Sequence, residues 1–165
     1  MEIALCRYLN YRVNLVAPNV SWGMFTHECD LIRLTPSGDC TEIEIKVDLS
    51  DLKKDKDKAH LHRDGNGYGV NKIKYLYFAI PDYLERHIEY IPEMAGILVV
   101  KEEMKDWYDK PILRVNEIRK PKKQSDYKFT EKQRTKLLEL LAMRIWKLKI
   151  KLSKEKDKDK YPWRN

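Results

Sequence analysis

Asp30, Glu44 and Lys46 are the residues whose types and spacing could do chemistry together. They lie in residues 28–46, which read as a β-hairpin. One strand would be Glu28-Cys29-Asp30-Leu31-Ile32-Arg33-Leu34 and the other Cys40-Thr41-Glu42-Ile43-Glu44-Ile45-Lys46-Val47. Between them Thr35-Pro36-Ser37-Gly38-Asp39 is a run of turn formers. A turn centred on Ser37 sets Asp30 opposite Glu44, Glu28 opposite Lys46 and Arg33 opposite Thr41. Strand alternation then places Glu28, Asp30, Glu42, Glu44 and Lys46 on one face, and sends Ile43, Ile45 and Val47 toward a core. Directly opposed Cβ atoms are only about 4.5–5.5 Å apart, and like charges there are destabilising. A divalent cation neutralises such a pair. Mg2+ takes one or two carboxylates together with waters and phosphate oxygens, and Lys46 is within reach of such a water or phosphate. The plain alternative is a solvated hairpin face, because Glu-x-Lys is common and alternating polar faces usually meet water.

Asp30 followed by Glu44-Ile45-Lys46 resembles the PD-(D/E)XK nuclease superfamily. The ordered series His27-Glu28-Cys29-Asp30-Leu31, Glu42-Ile43-Glu44-Ile45-Lys46, a charged helix from Ser50-Asp51-Leu52, Tyr75-Leu76-Tyr77-Phe78-Ala79-Ile80-Pro81 and Pro92-Glu93-Met94-Ala95-Gly96-Ile97-Leu98-Val99-Val100 resembles its MmcB-like DNA-repair branch over about the first two-thirds of the chain. The resemblance implies an α/β, restriction-endonuclease-like core: a mixed central β-sheet flanked by helices. It implies metal-dependent hydrolysis of DNA phosphodiesters, in DNA repair or in mobile-element or phage DNA processing. Asp30 and Glu44, with the backbone carbonyl of Ile45, would hold Mg2+ or Mn2+, and Lys46 would help activate water. Glu2 is the candidate for a first-helix acid of the family, and Asp51 and Asp55 resemble acidic helper positions of the branch. Glu28, facing Lys46, would tune it or serve a second metal. Cys29 stands where the family motif has Pro. Many nucleases of this fold pair up, so a homodimer is an expectation left open. The rival readings are a non-catalytic DNA-binding or adaptor protein that keeps the fold, and a purely structural α/β domain.

A chain of 165 residues is long enough for one domain with a real core. The expected domain spans residues 1–152, and residues 153–165 alternate Lys with acids as a charged, frayed tail. The net charge of +7, from 33 bases against 26 acids, fits a polyanionic partner such as DNA. Cys6, Cys29 and Cys40 form no C-x-x-C pair and no zinc pattern; they read as free thiols. No basic leader precedes an apolar run, and no stretch reaches membrane-spanning length. The expectation is a soluble cytoplasmic protein without a membrane partner.

The elements that must position these residues follow in order. Residues 2–11 read as a short helix with Ile3, Leu5, Cys6 and Leu9 on its apolar side. Residues 13–22 read as extended, and Pro18 argues for an edge strand or a break at that point. Trp22 and Phe25 read as lids on the core. Residues 48–64 read as a charged helix capped by Ser50 or Asp51, where Lys54, Lys58, His60 and His62 either line the approach to phosphate or are simply solvated. His60-x-His62 has no third ligand nearby. The loop 64–69 is rich in Gly and lacks the phosphate-binding pattern, so it is a flap or a solvent loop. Residues 73–81 and 95–100 read as buried strands, with a helical turn from Pro81 through Arg86. Residues 112–118 read as a weaker edge strand and 120–127 as a polar linker. Thr130-Glu131-Lys132-Gln133 is a capping box opening a long C-terminal helix to about Leu152. Its stripe of Leu137, Leu141, Ile145, Leu148 and Leu152 is expected to pack on a core. Arg134, Lys136, Arg144, Lys147 and Lys151 would add to a phosphate-binding surface.

Overall fold

The hairpin forms in the register read from the sequence. In the computed structural model β2 (Cys29–Leu34) and β3 (Cys40–Ile45) pair antiparallel, with Arg33 against Thr41 and Leu34 against Cys40. Residues 1–20, 24, 25, 27–58 and 71–160 are described, with side chains of 55–58 and 156–160 outside that description. The chain divides into two compact units, Met1–Phe129 and Thr130–Asn165.

In the first unit the turn is fixed by Gly38, at φ +84°, where a Cβ would lie 2.8 Å from the carbonyl oxygen of Phe129. Only glycine combines that backbone angle with that approach. The residues just after the segment read as a polar linker are clasped to this turn. The Phe129 N–H donates to the Gly38 carbonyl (2.9 Å), and the Lys128 and Lys74 ammonium groups both reach the Asp39 carboxylate, at 2.6 and 2.7 Å. Further back, the Gln124 N–H donates to the Lys74 carbonyl and the Ser125 hydroxyl to the Asn71 carbonyl.

Six strands form one mixed sheet in sequence order. β1 (Leu15–Val20) is antiparallel to β2 at one edge, where Pro18 sits in register with Leu31. An edge strand tolerates the missing N–H, as expected. β4 (Tyr75–Pro81) lies parallel to β3, β5 (Gly96–Lys105) parallel to β4, and β6 (Pro111–Arg119) antiparallel to β5 at the far edge. β5 runs five residues beyond the expected apolar strand. Its extension is exposed and pairs with β6 as a ribbon, so main-chain pairing and not burial prolongs it.

Alternate residues of the central strands bury against different helices. Leu76, Phe78 and Ile80 join Ile97, Val99, Leu84 and Leu52, the last from α2 (Leu49–Lys58). Leu31, Ile43, Ala79, Leu98 and Val100 pack with Leu5 and Leu9, from and just after α1 (Glu2–Tyr8). Helices therefore cover both faces of the sheet. α1 is shorter than expected because Asn10 turns the chain at φ 53°. α2 is capped by Asp48, not by Ser50 or Asp51: its carboxylate accepts the Ser50 N–H at 2.8 Å. A 3₁₀ stretch, Asp82–Tyr90, broken at His87, replaces the short turn after β4.

The second unit is α3 (Glu131–Lys160), a single helix through residues expected to fray. Its capping box is in place: the Gln133 N–H donates to the Thr130 hydroxyl, and the Thr130 N–H to the Gln133 side chain. The stripe is buried only at its start: Leu137 is buried and Leu141 half-buried, whereas Ile145, Leu148 and Leu152 are exposed, as are Leu138 and Trp146. Periodicity marks an apolar side of a helix and does not say that anything covers it.

Candidate functional site

The strand β3 carries Glu42, Glu44 and, just past its end, Lys46. Glu42 and Glu44 are in register with Leu76 and Phe78 of β4, so they share the α2-covered face of the sheet. This is not a solvated hairpin surface. Glu42 is 1% exposed, and the side chains of Glu44 and Lys46 are 13% and 9% exposed. The Lys46 main-chain N–H donates to the Ala79 carbonyl, anchoring the residue to β4. Its ammonium lies 3.1 Å from a Glu44 oxygen and 3.6 Å from the Asp51 carboxylate at the start of α2. Burial pushes the Glu44 carboxyl up to about 7, the Glu42 charge adds to this, Lys46 opposes it, and Asp30 raises it further.

Asp30 takes a different place from the one expected. The β2–β3 ladder stops at Leu31 and Ile43, so Asp30 and Glu44 are not a directly opposed pair. The Asp30 carboxylate instead accepts the main-chain N–H of Ile45 at 2.8 Å, a donor that a continued ladder would give to a β2 carbonyl. In an extended residue the carbonyl leaves on the same side as the N–H, so the Ile45 carbonyl is directed toward the β2 side as well. Asp30 and Ile45 line an open cleft of about 540 Å3 with Glu2, Arg7, Asn19 and Leu113. Glu2, the first-helix acid, thus reaches the same cleft as Asp30. Arg7 and Asn19 join it without having been singled out in the sequence. Spacing gave no signal for them, because they arrive from α1 and β1 only through the fold.

The remaining expected residues divide. Glu28 is exposed ahead of β2, while the Lys46 ammonium lies against the carboxylates of Glu44 and Asp51. Val47, expected in the core, is 56% exposed because β3 has ended before it. Lys54 is exposed on α2, while the side chains of Asp55 and Lys58, and all of His60, His62, Trp22 and the 64–69 loop, lie outside the described residues. Phe25 is half-buried and tilts against Phe129 at 6.0 Å.

A second cluster adjoins these residues. His27, Cys29 and Glu42 bring an imidazole nitrogen, a sulfur and a carboxylate oxygen within 4.8 Å of one another. His27 Nε2 is 2.6 Å from Glu42 Oε1 and 3.4 Å from Cys29 Sγ. The bond to Glu42 raises the His27 pKa against the opposing effect of burial, and burial followed by the Glu42 charge pushes the Cys29 thiol up. The cysteines read as having no zinc pattern because the third group comes from the facing strand. His27-x-Cys29, two residues apart at a strand start, was the available signal.

No family model matches the chain, and no curated protein matches it. Among solved structures it is similar to a protein of unknown function from Silicibacter pomeroyi, at 15% identity and a TM-score of 0.55. The match covers 93% of this chain and 88% of that one. At that identity the likeness shows the fold alone. No helix among the described residues is long and apolar enough to cross a membrane.

Proposed function

We propose that this chain is a metal-dependent nuclease that hydrolyses DNA phosphodiester bonds, of the PD-(D/E)XK type that the Asp30 and Glu44-Ile45-Lys46 pattern resembles. The observation that carries the reading is the buried Glu44–Lys46 pair at the carboxyl end of β3, beside a cleft holding Asp30 and Glu2. The carboxyl ends of parallel strands are where open α/β sheets bind their ligands. A desolvated carboxylate among like charges is also costly unless a cation or a task compensates it.

The donors suit a hard cation: carboxylate oxygens of Asp30 and Glu44 and the Ile45 carbonyl, with Glu2 on the same cleft. Bound there, Mg2+ or Mn2+ would supply a polarised phosphate and an acidified water. The chain's own part is positioning. Asp30 is held by the Ile45 N–H, and Lys46 is fixed at its main chain by Ala79 and at its ammonium by Glu44 and Asp51. From there Lys46 would orient the attacking water and stabilise negative charge building on the phosphate oxygens. Lys54 and the basic outer face of α3 would contact DNA phosphates.

The test is a cleavage screen on duplex, nicked, branched and single-stranded DNA with Mg2+ or Mn2+. Cleavage should be abolished in Lys46→Ala and in Glu44→Ala, with circular dichroism unchanged. Undiminished cleavage in either variant would sink the assignment. DNA binding without cleavage, indifferent to chelator, would move the chain to the adaptor reading.

A further inference from the structure

We propose that His27, Cys29 and Glu42 form a binding site for a zinc-class divalent cation, with a ligand set separate from Asp30, Glu44 and Lys46. The donors are the first reason. One sulfur, one imidazole nitrogen and one carboxylate oxygen are the borderline-soft mixture that Zn2+ and Co2+ favour and Mg2+ does not.

Geometry is the second reason. Tetrahedral bonds of about 2.0–2.3 Å set ligand atoms about 3.3–3.8 Å apart. Cys29 Sγ and His27 Nε2 already stand 3.4 Å apart, and all three atoms fall within 4.8 Å. The 2.6 Å contact between His27 Nε2 and Glu42 Oε1 has to open, by less than about 1 Å on the same scale. His27 is half-buried and precedes β2, so it is the ligand with room to adjust.

Rigidity is the third. Glu42 is held in the ladder by Ile32 on one side and Leu76 on the other, and Cys29 is paired with Val20 of β1. Both are essentially inaccessible, at 1% and 0% exposure. A buried carboxylate and a buried thiolate carry two negative charges, which a divalent cation cancels. On binding, the S–H bond of Cys29 breaks and its proton leaves to solvent, the proton between His27 Nε2 and Glu42 Oε1 leaves as well, and metal–sulfur, metal–nitrogen and metal–oxygen bonds form. Three protein ligands leave a fourth position for water. The cation would tie β2 to β3 one residue before Asp30.

The experiment is a Co2+ titration of the full chain, purified with chelator and followed by absorbance. The expected result is a near-ultraviolet thiolate-to-cobalt band that saturates at a single equivalent and is bleached by Zn2+. It should vanish in Cys29→Ser and persist in Cys40→Ser. His27→Ala, at a half-exposed position, should fold even if the serine variant does not. It should lose at least about 100-fold in cobalt affinity, the upper end of what outer-shell changes cost. No band in the wild type, a band surviving Cys29→Ser, or wild-type affinity in His27→Ala would overturn the proposal. Asp30→Asn should keep the band, so failure here and failure of the nuclease reading are separately visible.

Discussion

Asp39 shows how one carboxylate can couple three segments of the fold. It sits at the hairpin turn and meets Lys74 ahead of β4 and Lys128 of the clasping segment. Burial alone would raise its pKa, yet the two ammonium groups hold it down to about 2, against an ordinary value of 3.8. A carboxyl depressed on folding stabilises above its unfolded value and loses that contribution as pH falls through the folded one. The difference in stability between wild type and Asp39→Asn should therefore be full above pH 4 and vanish toward pH 2. Because Lys128 is half exposed, solvent screening reduces the expected difference to about 1 kcal/mol. Urea unfolding of both proteins across that range measures it; a difference independent of pH would remove the ion pairs as its cause.

The turn between β2 and β3 sets where Asp30 and Glu44 stand, so its geometry reaches the candidate site. Gly38→Ala must place a Cβ 2.8 Å from the Phe129 carbonyl at φ +84°. The expected loss is about 1–3 kcal/mol in chemical denaturation. Hydrogen exchange should show the Phe129 amide, bonded to Gly38, losing protection first. An alanine variant as stable as wild type would mean that the clasp does not hold the turn. The hairpin register was readable because five turn formers separate two alternating runs. The end of the ladder was not, because it depends on a side chain taking a main-chain donor.

The charge of +7 is spread over a chain with 26 acids, so DNA affinity must come from local contacts, not from the net value. If about three phosphates are neutralised, affinity for a short duplex should fall about 40-fold between about 50 and 200 mM salt. A Kd insensitive to salt would argue against any phosphate-binding role for Lys54 or α3.

Alternation, turn residues and Pro18 already defined the hairpin register, the edge position of β1 and the buried strands β4 and β5. They did so because these depend on neighbours a few residues away along the chain or directly across a turn. The Thr130 capping box was legible for the same reason. Burial of Glu42, Glu44 and Lys46 was not, since a polar run looks solvated until α2 and β4 are laid over it. Nor was the meeting of His27, Cys29 and Glu42, or of Glu2, Arg7, Asn19 and Asp30 around one cleft. Those contacts join residues from different elements: the pairing of β2 with β3 brings Glu42 to His27 and Cys29, and α1 on the sheet brings Glu2 and Arg7 to Asp30 and Asn19.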